Sequence, residues 1–232
     1  MQKENIDKQI ILLGLETSGL TSGVYLSMNN QLLAEISLNV RNIHSRGIAL
    51  FIDQVLKLTE IDYDQISAVV ISAGPGSFTG LRIGYSVAKG MLHALQKPLI
   101  EIPTLDVWAY QQGRLSVPVF SFIDAHRQEI FYAFYRWDDQ KLKRESNYQI
   151  MPFDEVNKRI TEKTFFVGPD VGRWMISLQN SLGERALFAY PIQQQFQGWA
   201  LLQLGYEKFM AGQFSDLHSC EPMYLRPFKG IL

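Results

Sequence analysis

The apolar and polar positions of this chain switch repeatedly between two periods. Gln9 to Leu15 is a continuous apolar run, the pattern of a central strand covered on both faces. Glu16-Thr17-Ser18-Gly19 breaks it. Val24, Leu26 and Met28 then alternate with Tyr25 and Ser27, and Leu32, Ala34, Ile36, Leu38 and Val40 alternate on a returning strand. Asn29-Asn30 between them suits a hairpin turn, because Asn tolerates positive φ. Three antiparallel strands therefore open the chain. A helix over His44 to Thr59, a strand over Ile66 to Ser72, a helix over Thr79 to Leu95 and a strand over Leu99 to Ile102 follow. Thr104 is a good N-cap for a helix running toward Gln112.

The pattern then starts again. Strands are expected over Val117 to Ile123, Glu129 to Trp137 and Lys141 to Ile150. Asp154 to Ile160 reads as helix, Thr164 to Val167 as strand, Asp170 to Gln179 as helix, Ala186 to Ala189 as strand and Phe196 to Met210 as helix. The order β-β-β-α-β-α-β-α is that of a ribonuclease-H-like domain. Two in tandem give an α/β fold of the two-lobed actin-like, sugar-kinase and Hsp70 kind. This duplication rests on element order, not on residue identity. The expected lobes are residues 1–103 and a smaller, degenerate 104–232.

Composition narrows the setting. The chain has 232 residues, 47% of them hydrophobic and 19% charged, enough for a substantial core. A net charge of −1 supplies no polybasic field to recruit nucleic acid or an anionic membrane. The single cysteine, Cys220, excludes an internal disulfide. The apolar run Ile10–Leu15 is too short for a signal core or a membrane span. A cytoplasmic protein is expected.

The most informative stretch is Gly74 to Gly90, a glycine loop between the strand ending at Ser72 and a helix rich in small residues. A strand, a glycine loop and a helix start present free N–H groups at the positive end of a helix dipole, the geometry of an anion site. The loop matches neither common phosphate fingerprint. Gly80 is followed by Leu81-Arg82, so a Walker lysine is missing, and Thr79 stands where a dinucleotide loop needs its third glycine.

Glu16-Thr17-Ser18, Gly74 to Gly90, Pro98-Leu99-Ile100, Asp124 to Phe131 and Glu221 to Arg226 follow in the order and spacing of one family. On these segments the chain resembles the TsaB (YeaZ-like) family over residues 10–226. The resemblance implies an actin-like fold and a non-catalytic role in synthesis of tRNA N6-threonylcarbamoyladenosine. It implies as partners a TsaD-like catalytic subunit and the ATPase TsaE, a homodimer when alone, and contact with tRNA only through the complex. It implies no membrane, no metal and no cofactor beyond weak ATP or ADP binding at a partner boundary. The catalytic sibling TsaD holds a metal with a His-x-x-x-His pair. Thr104 and Trp108 stand at the matching positions here, and neither suits a divalent metal.

The remaining chemistry is sparse. His44, His93, His126 and His218 never lie three to five residues apart, so a helical metal pair is absent. His44 is expected to cap its helix or face water. No catalytic residue is assigned. Thr17, Ser18, Gly76, Ser77 and Thr79 form the expected vestigial anion or nucleotide site, and Asp124 is the best second acidic group for the cleft. The helices over 44–59 and 79–95 are apolar around more than one face, whereas covering a sheet needs only one. Gly84/Ala88 and Ser86/Gly90/Ala94 are small residues at four-residue spacing. In the family these helices dock the partner. The expected interface is Leu50, Leu81, Gly84, Tyr85, Ala88, Met91, Leu92 and Leu95. Two alternatives remain. One is an actin-like ATPase or small-molecule kinase using the Gly74–Gly80 loop. The other is a metallopeptidase, which the missing ligands oppose.

Overall fold

The computed structural model describes residues 9–40, 44–191 and 194–226, with side chains undescribed at 44–46. The side chain of His44 and the expected lobe ends at 1–8 and 227–232 lie outside the described residues.

The first sheet is built from β1 (Ile11–Glu16), β2 (Thr21–Met28), β3 (Gln31–Asn39), β4 (Ala68–Ser72) and β5 (Leu99–Ile102), in the order β3-β2-β1-β4-β5. β1 is central, antiparallel to β2 and parallel to β4, and it is buried along its whole length. Its apolar run has no polar alternation because both faces are covered. Ile11, Leu13 and Leu15 meet α1 (His44–Thr59) and α2 (Phe78–Leu95) on one side. Leu12 faces the other side, where α6 (Gly198–Met210) lies across β1, β2, β4 and β5. Gly14 on that face leaves room for Leu202, and Gly205 of α6 sits directly on Val70.

The second sheet uses β6 (Val119–Asp124), β7 (Glu129–Asp138), β8 (Lys141–Arg144), β9 (Gln149–Pro152), β10 (Thr164–Val167) and β11 (Ala186–Phe188). Its order is β11-β10-β6-β7-β8, with β9 also on β7. Read from β8, this is the topology of the first sheet: a central first strand antiparallel to the second and parallel to the fourth. The two-lobed actin-like duplication is thus present in the topology itself. Three elements differ from expectation. Thr104 is the first residue of its helix, with Pro103 at the cap. The helix over Asp154 to Ile160 is a 3-10 turn at Phe153–Glu155 followed by Val156–Arg159, and one strand is split. The single strand over Lys141 to Ile150 is two strands, because Ser146 Oγ accepts the Phe134 N–H at 2.9 Å and turns the chain between them.

Three cores result. α1 and α2 cover the outer face of the first sheet, burying Ile48, Phe51, Ile52, Val55 and Leu56 from α1 alone. At about 1.5–3 kcal/mol per fully buried large apolar side chain, that stripe anchors the helix. α5 (Val171–Leu182) and the short α4 (Val156–Arg159) cover the outer face of the second sheet. Between the sheets lies a shared core with α3 (Thr104–Tyr110) and α6, where Leu12, Val70 and Ile100 meet Val119, Ile123 and Tyr135. Among the described residues no helix is long and apolar enough to cross a membrane.

Candidate functional site

The turn after β1 and the start of α2 are seated on each other. Glu16 is 1% exposed. Its carboxyl accepts from Ser18 N and Ser18 Oγ, both at 2.6 Å, and from the Ser72 hydroxyl. Ser77 caps α2: its Oγ accepts from Gly80 N at 3.2 Å, and its own N–H donates to the Ser18 carbonyl at 2.6 Å. A Cβ on Gly76 would lie 2.2 Å from the Ser18 carbonyl oxygen, and one on Gly80 would lie 2.0 Å from that of Thr17. Gly84 makes room for Thr17 Oγ1. The glycines therefore serve close packing of backbone on backbone. Thr17, Ser18, Gly76, Ser77 and Thr79 are brought together, with Thr17 and Ser18 buried and Ser77 and Thr79 exposed. Much of the polar capacity there is engaged within the chain: the amides of Ser77 and Gly80 already have acceptors.

The space beside this turn decides what it can hold. The cavity bounded by Ser18, Gly19, Thr104, Trp108, Ile123 and Phe196 measures about 80 Å³. Small-molecule sites measure about 300–1,000 Å³. Trp108 and Phe196, with ring centroids 6.0 Å apart, occupy the interlobe space. Thr104 Oγ1 accepts from Gly74 N at 3.1 Å, and Trp108 is core. Asp124, on the opposite lobe, is tied to Arg173 and accepts from His126 N at 2.9 Å. Among the described residues no three His, Cys, Asp or Glu side chains group closely enough to hold a metal.

Burial pushes the Glu16 carboxyl up to about 7, against the opposing hydrogen bonds from Ser18 and Ser72. The protonated form is favoured in the folded state. Glu16 therefore contributes stability that is full below about pH 4.5 and declines as pH rises toward 7, by about 3 kcal/mol. Glu16→Gln should flatten this dependence. Urea unfolding of both proteins at pH 5 and pH 8 checks it; an equal pH 5 to pH 8 difference in the two would refute the assignment.

A second opening, about 610 Å³, lies between the glycine loop and the other lobe, walled by Pro75, Phe78, Arg127, Glu129 and the 223–226 segment. Arg82 lies over the Phe78 ring at 3.9 Å and reaches Tyr224 Oη at 3.3 Å. Arg226 pairs with Glu129 at the edge of this opening. His126, Arg127 and Gln128 have φ of 61°, 56° and 61°, three consecutive residues in the left-handed region. Such a run is costly and is held here by the Ala125–Glu129 and Phe153–Gln128 backbone bonds. The sequence carries no Gly or Asn there to signal it.

The expected interface residues divide. Leu81, Gly84, Tyr85, Ala88 and Leu92 are buried on the chain's own sheet, so they are not surface positions. They recur at i, i+3, i+4, i+7 and i+11, the inward stripe of a helix. Ala88 is 0% exposed. Met91 and Leu95 are half-buried, and Leu50 is exposed. The outward small-residue row is Ser86, Gly90 and Ala94, all exposed and missing from the expected set. The half-buried Ile83, Val87 and Met91 flank it. The chain's own last helix does not cover this face, because α6 lies on the opposite side of the first sheet.

These features define a class: a two-lobed actin-like protein whose interlobe space beside Ser18 is filled by its own side chains. A family model described as "TsaD: tRNA N6-adenosine threonylcarbamoyltransferase" matches residues 31–168. A Bacillus subtilis protein named tRNA threonylcarbamoyladenosine biosynthesis protein TsaB is 24% identical over 93% of each chain. The Escherichia coli protein of that name is 29% identical over 56% of this chain and 57% of its own length. A solved Pseudomonas aeruginosa structure named YeaZ shares the fold at a TM-score of 0.77, with 22% identity, over 93% of this chain and 100% of that one. The chain belongs to the TsaB (YeaZ-like) family, within the wider family that the TsaD model describes.

Proposed function

We propose that the protein is a non-catalytic adaptor in tRNA threonylcarbamoyladenosine biosynthesis, docking on a TsaD-like subunit through the outward faces of α1 and α2. The observation that carries this reading is the Ser86-Gly90-Ala94 row on α2, exposed beside half-buried Ile83, Val87 and Met91 and left uncovered by α6. Small residues let two helices approach closely, and apolar flanks supply burial. Leu50, Met91 and Leu95 stay in the proposed interface. Leu81, Gly84, Tyr85, Ala88 and Leu92 support it from beneath. The names of the relatives supply the pathway. The same surface would serve a homodimer when the partner is absent. TsaE and tRNA would be met through the complex.

Catalysis by the chain alone is not expected. The 80 Å³ cavity beside Ser18 is too small for a nucleotide, and neither it nor the 610 Å³ opening on the other side of the glycine loop is lined by a lysine for terminal phosphates. The kinase alternative therefore lacks a nucleotide-sized space at Ser18 and a phosphate-binding lysine at the glycine loop. Co-purification with TsaD of the same organism, followed by a tRNA-modification assay with and without this chain, tests the reading. Complex formation, modification only when both are present and no ATP turnover by the chain alone are expected. Steady ATP turnover by the isolated chain, lost in Thr17→Ala, would establish the kinase reading instead.

A further inference from the structure

A cavity of about 430 Å³ lies between α3, the β7–β8 hairpin and α6, outside the glycine-loop site and outside the α1–α2 surface. Its volume is within the range of small-molecule sites. Four charged side chains line it: Asp106 and Glu207, and Lys141 and Arg144. Among the described residues none of the four belongs to an ion pair. Lys141, Arg144 and Glu207 are exposed, and Glu207 Oε1 accepts from Gln203 Nε2 at 3.1 Å.

Asp106 is the deepest of the four. Its Oδ1 accepts from Tyr135 Oη at 2.6 Å and from Tyr148 Oη at 2.8 Å. No described donor reaches Oδ2, and that atom is not among the buried polar atoms cut off from solvent. Two tyrosines thus hold one carboxyl oxygen and leave the other open to the cavity. Burial holds this carboxyl above its ordinary range, against the two tyrosine bonds and the nearby Arg144 and Lys208. A part-buried carboxylate with an open oxygen gains from an incoming ammonium. On the other wall, Arg144 lies over the Tyr148 ring at 3.9 Å, which fixes its plane, and one terminal nitrogen donates to the Ser146 carbonyl at 3.2 Å. Its remaining donors have no described acceptor. Lys141 is exposed at the rim.

Two carboxyl groups and two cations lining one cavity of this size, with no ion pair between them, complement a small molecule with both charges. We infer that this cavity binds a free α-amino acid, its ammonium on Asp106 and Glu207 and its carboxylate on Arg144 and Lys141. A purely structural role for Asp106, as the hub of Tyr135 and Tyr148, accounts for Oδ1 alone. It explains neither the open Oδ2 nor the two unpaired cations. The inference does not rest on the adaptor reading.

The test is a proton–nitrogen NMR titration of the full chain with each of the twenty standard amino acids at millimolar concentration, with methylamine and acetate as single-charge controls. Saturable shifts of amides around residues 106, 141–144 and 207 are expected with at least one amino acid. Methylamine and acetate should give none. Because Asp106→Asn could disturb the tyrosine cluster, the deciding variant is the exposed Arg144→Gln. It should keep the parent spectrum elsewhere and bind at least about tenfold more weakly, the loss of one charge-assisted bidentate contact. No saturable shift with any amino acid, equal binding of methylamine or acetate, or unchanged affinity in Arg144→Gln would each overturn the inference.

Discussion

Gly90→Glu should yield a protein that folds and melts like the parent, or slightly above it, yet no longer associates with itself or with a TsaD-like subunit. Nothing lies within 4 Å of a Cβ built on Gly90, so the new side chain meets only solvent in the free chain. Replacing a helical glycine removes a backbone-entropy cost of about 0.5–1 kcal/mol. In a close helix–helix contact the same glutamate would be both too large and an unpaired buried charge. A penalty of about 3 kcal/mol corresponds to about a hundredfold weaker association. Sedimentation velocity on the free protein and pull-down with TsaD measure it, and tRNA modification should fall in parallel. A folded Gly90→Glu protein with unaltered association would remove α2 from the docking surface. Glutamate at Ala88 cannot make this test. Ala88 lies in the core beneath α2, and a charge there would unfold the lobe.

Ten residues earlier the same type of substitution should have the opposite sign. Gly80→Ala places a methyl 2.0 Å from the Thr17 carbonyl oxygen, a backbone atom that cannot swing aside. Either α2 moves outward or the 16–18 turn moves into the shared core. Overpacking of this kind costs about 3 kcal/mol, a fall in melting temperature of roughly 6–12 °C for a chain of this size. Gly90→Ala is the matched control, expected to gain stability. Urea unfolding of the pair should therefore split in opposite directions from the parent. Stability of Gly80→Ala equal to that of the parent would mean that the turn and the helix are not seated on each other as described.

The strand and helix order was legible in the sequence because each segment keeps one period. β1 is apolar throughout and buried on both faces, α1 runs over the expected His44–Thr59, and β10 over the expected Thr164–Val167. The inward face of α2 was harder to read. Leu81, Tyr85, Ala88 and Leu92 do form a stripe. Gly84 and Ala88 nevertheless imitate an outward small-residue contact, because Gly84 is small for a different reason: it leaves space for Thr17 Oγ1, sixty-seven positions earlier. No local pattern reports that. The same holds for the break between β8 and β9, caused by one serine bonding to the neighbouring strand, and for the left-handed turn at His126–Gln128, made from residues that do not advertise it. In the candidate site, the residues of the glycine loop were identifiable by type. That their polar groups face one another, and that Trp108 and Phe196 close the cleft, depends on contacts between halves of the chain.

The position of α6 has a consequence for synthesis. The first sheet consists of residues 11–102, but its inner face is sealed partly by Ala200, Leu201 and Leu202 from α6. Ser215 then bonds to Leu99, and Met223 N–H donates to the Ala73 carbonyl. On the ribosome, therefore, the first lobe emerges early and is closed last. Until the chain has grown past α6, the side of the sheet bearing Leu12, Val70 and Ile100 lacks that cover. The usual order, in which an amino-terminal unit finishes before the next begins, is denied to this topology. Closure of the first lobe becomes a late event, governed by contacts between segments far apart in the chain, and such distant contacts form slowly.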